Sequence, residues 1–175
     1  MINCLEKFNK LRVNIKILIM DVDGTLADGK IYMSNSGEAF KAFNIKDGCG
    51  IHDLLPKNNI VPVVITARKS DIVKNRCQEL GIEECWQGVR NKLEKMKEIA
   101  EKYSIVPDEN FIYQEIAYIG DDIIDLQCME HCGLVACPAD AVSEVKKISD
   151  FVSSLSGGNG AVREFIEEIV NNRNI

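Results

Sequence analysis

A chain of 175 residues that is 46% hydrophobic and 27% charged has the make-up of one soluble globular domain, 1–175, and has no room for a second that could fold alone. Its 27 acidic residues against 21 basic ones give a net charge of -6, which excludes neither a small anion nor a metal but disfavours nucleic acid and anionic lipid as partners. Seven cysteines with no CxxC pair, no apolar leader in MINCLEKFNK, and no apolar run near the ~20 residues of a membrane span lead to the expectation of a reduced, cytoplasmic protein.

The first apolar run, Ile15 to Met20, reads as a strand buried on both faces of a parallel sheet. Asp21-Val22-Asp23-Gly24-Thr25 follows it, and on extended chain Asp21 and Asp23 point the same way, about 6–7 Å apart, a gap that suits one phosphoryl group. Alone, this stretch reads equally well as a β-turn. Lys30 to Ser34 and Glu38 to Phe43, joined by Asn35-Ser36-Gly37, then form a β-hairpin where a crossover helix is expected. With Ile31, Met33, Phe40 and Phe43 the ribbon needs a surface to pack on, and a partner subunit is the natural one.

Pro62 to Ile65 is the next strand, ending at Thr66 with Arg68, Lys69 and Ser70 close behind; Ser70 has the place of a helix N-cap for Ile72, Val73, Cys77 and Leu80. Asn91-Lys92 opens a helix carrying Leu93, Met96, Ile99, Ala100 and Tyr103. A lysine there opposes the macrodipole, so it is either solvated or shares an anion with the helix N-terminus. Glu115 to Ile119 is a third buried strand, followed by Gly120-Asp121-Asp122-Ile123-Ile124-Asp125, in which one aspartate caps the helix bearing Leu126, Met129 and Cys132. Three carboxylates within five residues repel one another unless a hard cation such as Mg2+ sits among them. Leu134 to Cys137 is a fourth strand, and Val162, Phe165, Ile166 and Ile169 mark a last helix after Gly157-Gly158-Asn159-Gly160, a loop readable as a flexible connection or as a lid. Cys128, Cys132 and Cys137 lack zinc-site spacing and read as small core residues, His52 as a helix residue. Strand and helix in alternation predict an α/β fold, a doubly wound and mostly parallel sheet of Rossmann-like form. Ligands bind at the carboxyl ends of such strands, which is where the polar clusters fall.

DxDGT, Thr66, Lys92 and GDDxxD, in this order, resemble the haloacid dehalogenase superfamily over nearly the whole chain. The resemblance implies that Asp21 is a nucleophile, Asp23 a general acid and base, and Thr66 and Lys92 phosphate ligands. It implies Mg2+ held by Asp21, the Asp23 carbonyl and Asp121, with Asp122 or Asp125 in the outer shell. The 26–65 and 67–91 stretches are too short to carry a cap domain. DGKIYMSNSGEAFKAFNIKDGCGI, ITARKSDIV, WQGVRNKLE, YIGDDIID and GGNGAVREF are similar to the sugar-acid phosphatases of this superfamily, which act on 3-deoxy-D-manno-octulosonate 8-phosphate of lipopolysaccharide biosynthesis or on nine-carbon sugar-acid 9-phosphates. That group implies a homotetramer whose hairpins cover adjacent sites, with Gly24, Thr66, Ala67, Arg68, Lys69, Lys92, Lys41 and Asp47 near the substrate. Arg68, with a planar fork, suits the substrate carboxylate, unless it pairs with an acidic neighbour. Ala67 replaces a common glycine and Asn159 the arginine common in octulosonate enzymes, so both sugar acids stay open. A module fused to nucleotide-sugar synthetases, serving only in assembly, is the reading of another class.

Overall fold

The computed structural model describes residues 14–171; MINCLEKFNK, with Cys4, lies outside the described residues. β1 (Ile17–Met20) is fully buried and pairs in parallel with β4 (Val61–Thr66) on one side and β6 (Tyr113–Ile119) on the other. β5 (Glu84–Gln87) extends the β4 side, and β7 (Cys132–Cys137) and β8 (Phe151–Val152) extend the β6 side. The resulting six-stranded order is β5-β4-β1-β6-β7-β8, parallel throughout. The chain winds outward from β1 in both directions, so the carboxyl ends of β1, β4 and β6 flank the crevice where such a sheet binds its ligand.

Helices cover both faces. On one, α1 (Ile45–Cys49), a π-helical turn (Gly50–Leu54), α2 (Leu55–Lys57), α3 (Asp71–Glu79) and α7 (Ala161–Val170) enclose a core around Leu18, Met20, Val64, Ile119, Phe165 and Ile166. On the other, α4 (Lys92–Lys102), α5 (Ile123–Met129) and α6 (Ser143–Ile148) cover Ile17, Ile19, Ile65, Tyr118 and Val135. Burying such a side chain is worth about 1.5–3 kcal/mol, and β1 contributes alternately to the two cores. The π turn ends at Leu54, just before Pro56 of α2, whose ring bars an α-helical bond to the fourth residue before it. α6 and β8 carry too short a pattern to be read from periodicity and extend the predicted set.

The hairpin is present as β2 (Tyr32–Ser34) and β3 (Gly37–Phe40), a separate antiparallel pair. Ile31, Met33 and Phe40 are exposed. Phe43, expected among them, instead packs on the core of its own chain with the Arg76 guanidinium 5.8 Å above its ring, because the ribbon has by then turned back toward α1. Cys128, Cys132 and Cys137 are buried free thiols, but Cys132, expected on the helix with Leu126 and Met129, opens β7 instead, because α5 stops at Met129. None of the described helices is long and apolar enough to cross a membrane.

Candidate active site

β1 leads directly into Asp21, 3% exposed, whose Oδ1 accepts a 2.7 Å hydrogen bond from Lys92 Nζ. Lys92 is the first residue of α4, and the Asn91 side chain caps that helix by accepting from the Glu94 amide. The expectation of either a solvated lysine or an anion-facing one is decided by packing: Lys92 is 2% exposed and also donates to Asp125 Oδ1 at 2.6 Å. Tyr118 of β6 donates to the same oxygen at 2.6 Å, while Asp125 Oδ2 accepts from the Asp121 and Asp122 amides. Carboxylate oxygens of Asp21, Asp121 and Asp125 lie within 4.8 Å of one another.

One ammonium among three carboxylates leaves an excess of negative charge. Burial pushes the Asp21 carboxyl up to about 6, against the pull of Lys92 and with Asp125 adding to the rise. Burial, followed by Asp21 and Asp125, pushes Asp121 up to about 7. Burial also works against the Lys92 charge, yet Asp21 and Asp125 outweigh it and hold the ammonium above its ordinary range. Tyr118 is raised well above 10 by burial and by Asp125, and so serves as a donor.

A hard divalent cation fits this donor set. Asp125 has both oxygens engaged and orients the cluster, which leaves Asp21 and Asp121 as the carboxylates that can turn toward a cation. Thr25 Oγ1 donates to Asp121 Oδ1 at 3.1 Å and fixes that side chain. Gly24, at φ +94°, leaves the space that the Asp121 carboxylate fills; a β-carbon there would overlap it. Asp122 is set apart from the cluster: its exposed carboxylate caps α5 by accepting from Ile123 N at 2.7 Å, in a capping box with Asp125.

Thr66 is buried at the end of β4, with half-buried Ala67 next to it and exposed Lys69 beyond. Ser70 has the cap position, but its hydroxyl bonds Glu38 and not the helix. Arg68 donates to Glu38 Oε1 at 3.1 Å, with Nε 4.0 Å from Asp23 Oδ2, so in this structure it does pair with an acidic neighbour. Lys41, placed by resemblance near the substrate, is buried between Asp23 and Glu38. Asp47 is buried too: its Oδ1 accepts from Arg163 N at 2.7 Å at the start of α7, and burial raises its carboxyl. Glu38, Tyr118 and Thr25 carry no sequence signal of their own as site residues beyond the Tyr118 hydroxyl one residue before the end of β6.

The Gly157–Gly160 loop is packed. Gly158 N donates to Thr25 O at 2.9 Å, Gly157 N donates to Asp140 Oδ1 at 2.9 Å, and Asn159 is exposed with its amide on Gly157 O.

Carboxylates after β1, a hydroxyl closing β4, a lysine opening α4 and further carboxylates after β6 meet at one crevice of a parallel sheet, with no cap domain among the described residues, and this arrangement is that of the haloacid dehalogenase superfamily of phosphatases. Relatives narrow the class. Over 151 residues the chain is 46% identical to the 3-deoxy-D-manno-octulosonate 8-phosphate phosphatase KdsC of Salmonella typhi, spanning 86% of this chain and 77% of that one. A Legionella pneumophila structure assigned to subfamily III A of the superfamily superposes with a TM-score of 0.90 at 32% identity, over 98% of this chain and 90% of that one. The Moraxella catarrhalis 3-deoxy-D-manno-octulosonate 8-phosphate phosphatase, solved with magnesium, phosphate and the sugar acid, gives 0.89 at 34% identity over 97% and 94%. No family model matches the chain. The chain belongs to the KdsC family of 3-deoxy-D-manno-octulosonate 8-phosphate phosphatases, and it is a phosphatase.

Proposed function

We propose that this enzyme hydrolyses 3-deoxy-D-manno-octulosonate 8-phosphate with Mg2+, through a phosphoryl group carried on Asp21. The observation that supports this most directly is the 2.7 Å contact of Lys92 with Asp21 inside the three-carboxylate cluster. Asp21 attacks phosphorus while Asp23 gives a proton to the departing sugar oxygen; Asp23 then takes a proton from the water that cleaves the Asp21–phosphoryl bond, and inorganic phosphate leaves. Lys92, held by Asp125, offsets charge as the two anions approach. Bound by Asp21, the Asp23 carbonyl and Asp121, magnesium would supply the remaining positive charge. Gly24 keeps Asp121 in place, and Thr66 and the Ala67 backbone border the phosphate. Arg68, 39% exposed at its side chain, and Lys69 stand at the mouth, where a substrate carboxylate can compete with Glu38.

The substrate named for the curated relatives favours the eight-carbon sugar acid over nine-carbon ones. An assembly-only module has no use for a buried lysine clamped by two carboxylates. Homotetramer formation through the exposed hairpin belongs to the same proposal. The test is phosphate release from the octulosonate ester, which should require Mg2+ and vanish in Asp21→Asn. Turnover by that variant at the wild-type rate, with contamination excluded, rules out Asp21 as nucleophile.

A further inference from the structure

The two aspartates of the DxD pair are each tied to a lysine from a different part of the fold. Asp21 has Lys92 of α4; Asp23 has Lys41, the residue just past β3. Lys41 is unusual in its own right, since its side chain is 1% exposed, and a lysine is almost never buried without partners. Both its partners are carboxylates: Asp23 Oδ1, and Glu38 Oε1 at 3.0 Å. Glu38 is anchored in turn by the Ser70 hydroxyl and by Arg68 Nη2 at 3.1 Å, both from the loop after β4. Burial would raise the Glu38 carboxyl, but the bonds from Ser70 and Lys41 outweigh it and keep it below its usual range, so it remains an anion able to hold Lys41.

We infer that Lys41 is a positioning residue for Asp23, fixing Oδ1 so that Oδ2 is the oxygen that gives and takes the proton. The inference rests on the reading of Asp23 as acid and base and adds to it a role for the hairpin. Asp23 lies in the loop after β1 with its side chain 25% exposed, and backbone alone does not fix its χ angles. A carboxylate anchored at one oxygen presents the other along one direction. Proton transfer to a leaving oxygen needs a heavy-atom approach of about 2.6–3.2 Å, which free rotation would satisfy only part of the time. Glu38, Arg68 and Ser70 make Lys41 rigid by joining the end of the hairpin to the strand end that carries Thr66. The β2–β3 ribbon thus contributes to the chemistry of its own chain through a single ammonium, independently of any surface that its exposed face covers.

Leaving-group dependence tests this. An alkoxide must be protonated as it departs, whereas 2,4-dinitrophenolate needs no proton, and kcat/KM reports the steps up to phosphoryl transfer onto the enzyme. General acid–base catalysis is worth about 10²–10⁴-fold, so Asp23→Asn should cost that much kcat/KM on the octulosonate ester and far less on 2,4-dinitrophenyl phosphate. Lys41→Met should show the same asymmetry at reduced size, a loss of about 10–100-fold on the sugar ester and less than about threefold on the aryl ester, in keeping with the cost of misplacing a catalytic group. The ratio of the two kcat/KM values does not depend on the folded fraction, and Lys41→Ala, which also removes the donor, should shift it in the same direction should Lys41→Met fold poorly. Equal losses on both esters, or no loss, in these variants would overturn the role of Lys41 while leaving Asp23 as acid. A flat profile in Asp23→Asn would overturn the acid assignment and the positioning role with it.

Discussion

The backbone at Gly157 stands so close to Gly24 that a β-carbon on Gly157 would overlap the Gly24 carbonyl oxygen, and Gly24 in turn leaves the space occupied by the Asp121 carboxylate. The tail loop, the DxDGT turn and a cation-binding carboxylate are therefore stacked in direct contact, with Gly158 N bonded to Thr25 O. Gly157→Ala should destabilise the fold by about 1–3 kcal/mol, as overpacking does, and should also weaken Mg2+ binding by displacing Asp121. Thermal unfolding and magnesium titration of activity check this. A stability loss with an unchanged magnesium requirement would show that the stack does not reach Asp121.

Metal and pH are linked through the same cluster. The Asp21 and Asp121 carboxyls lie at about 6 and about 7 in the folded chain against 3.8 ordinarily, so the metal-free fold binds protons more tightly than the unfolded chain does. Their contribution to stability is therefore lost as pH rises from about 4 to about 7, since stability falls with pH wherever the folded state holds more protons. Mg2+ offsets the negative charge that burial, and after it the neighbouring carboxylates, disfavour. Its effect on the melting temperature should be large at pH 8 and small at pH 5, and an equal shift at both would refute the link.

Arg68→Ala should raise KM for the sugar-acid ester by an amount equivalent to about 1.5–3 kcal/mol, the range for a hydrogen bond to a charged group, and should alter a neutral-alcohol phosphate much less. Arg68 now holds Glu38, and a carboxylate-bearing substrate replaces one anion with another. Steady-state kinetics on both esters decide it. Equal losses would mean that Arg68 serves only the Glu38 network.

The hairpin should govern assembly. Met33 is 65% and Phe40 54% exposed, a patch that a monomer has little reason to keep. Met33→Glu with Phe40→Glu should shift sedimentation from tetramer to smaller species and reduce turnover. A wild-type chain that sediments as a fully active monomer at assay concentration would remove the shared-site proposal.

The strands at the heart of the sheet were legible from local pattern, because residues buried on both faces must be apolar without interruption, as in Ile17–Met20 and Leu134–Cys137; that the last of these begins already at Cys132 was not. The carboxylates and the lysine of the crevice were legible too, since groups at strand ends and helix starts are set by local order along the chain. Partners distant in sequence were another matter. That Lys92 is buried against Asp21 and Asp125, that Asp47 serves α7, that Phe43 turns inward and that Lys41 closes on Asp23 depend on which element lies beside which. Such contacts join residues 18 to 116 positions apart, and nothing in local periodicity carries that information. Only the tertiary structure decided them, because a charge may be buried only where packing brings its counter-charge, and the packing is a property of the whole sheet.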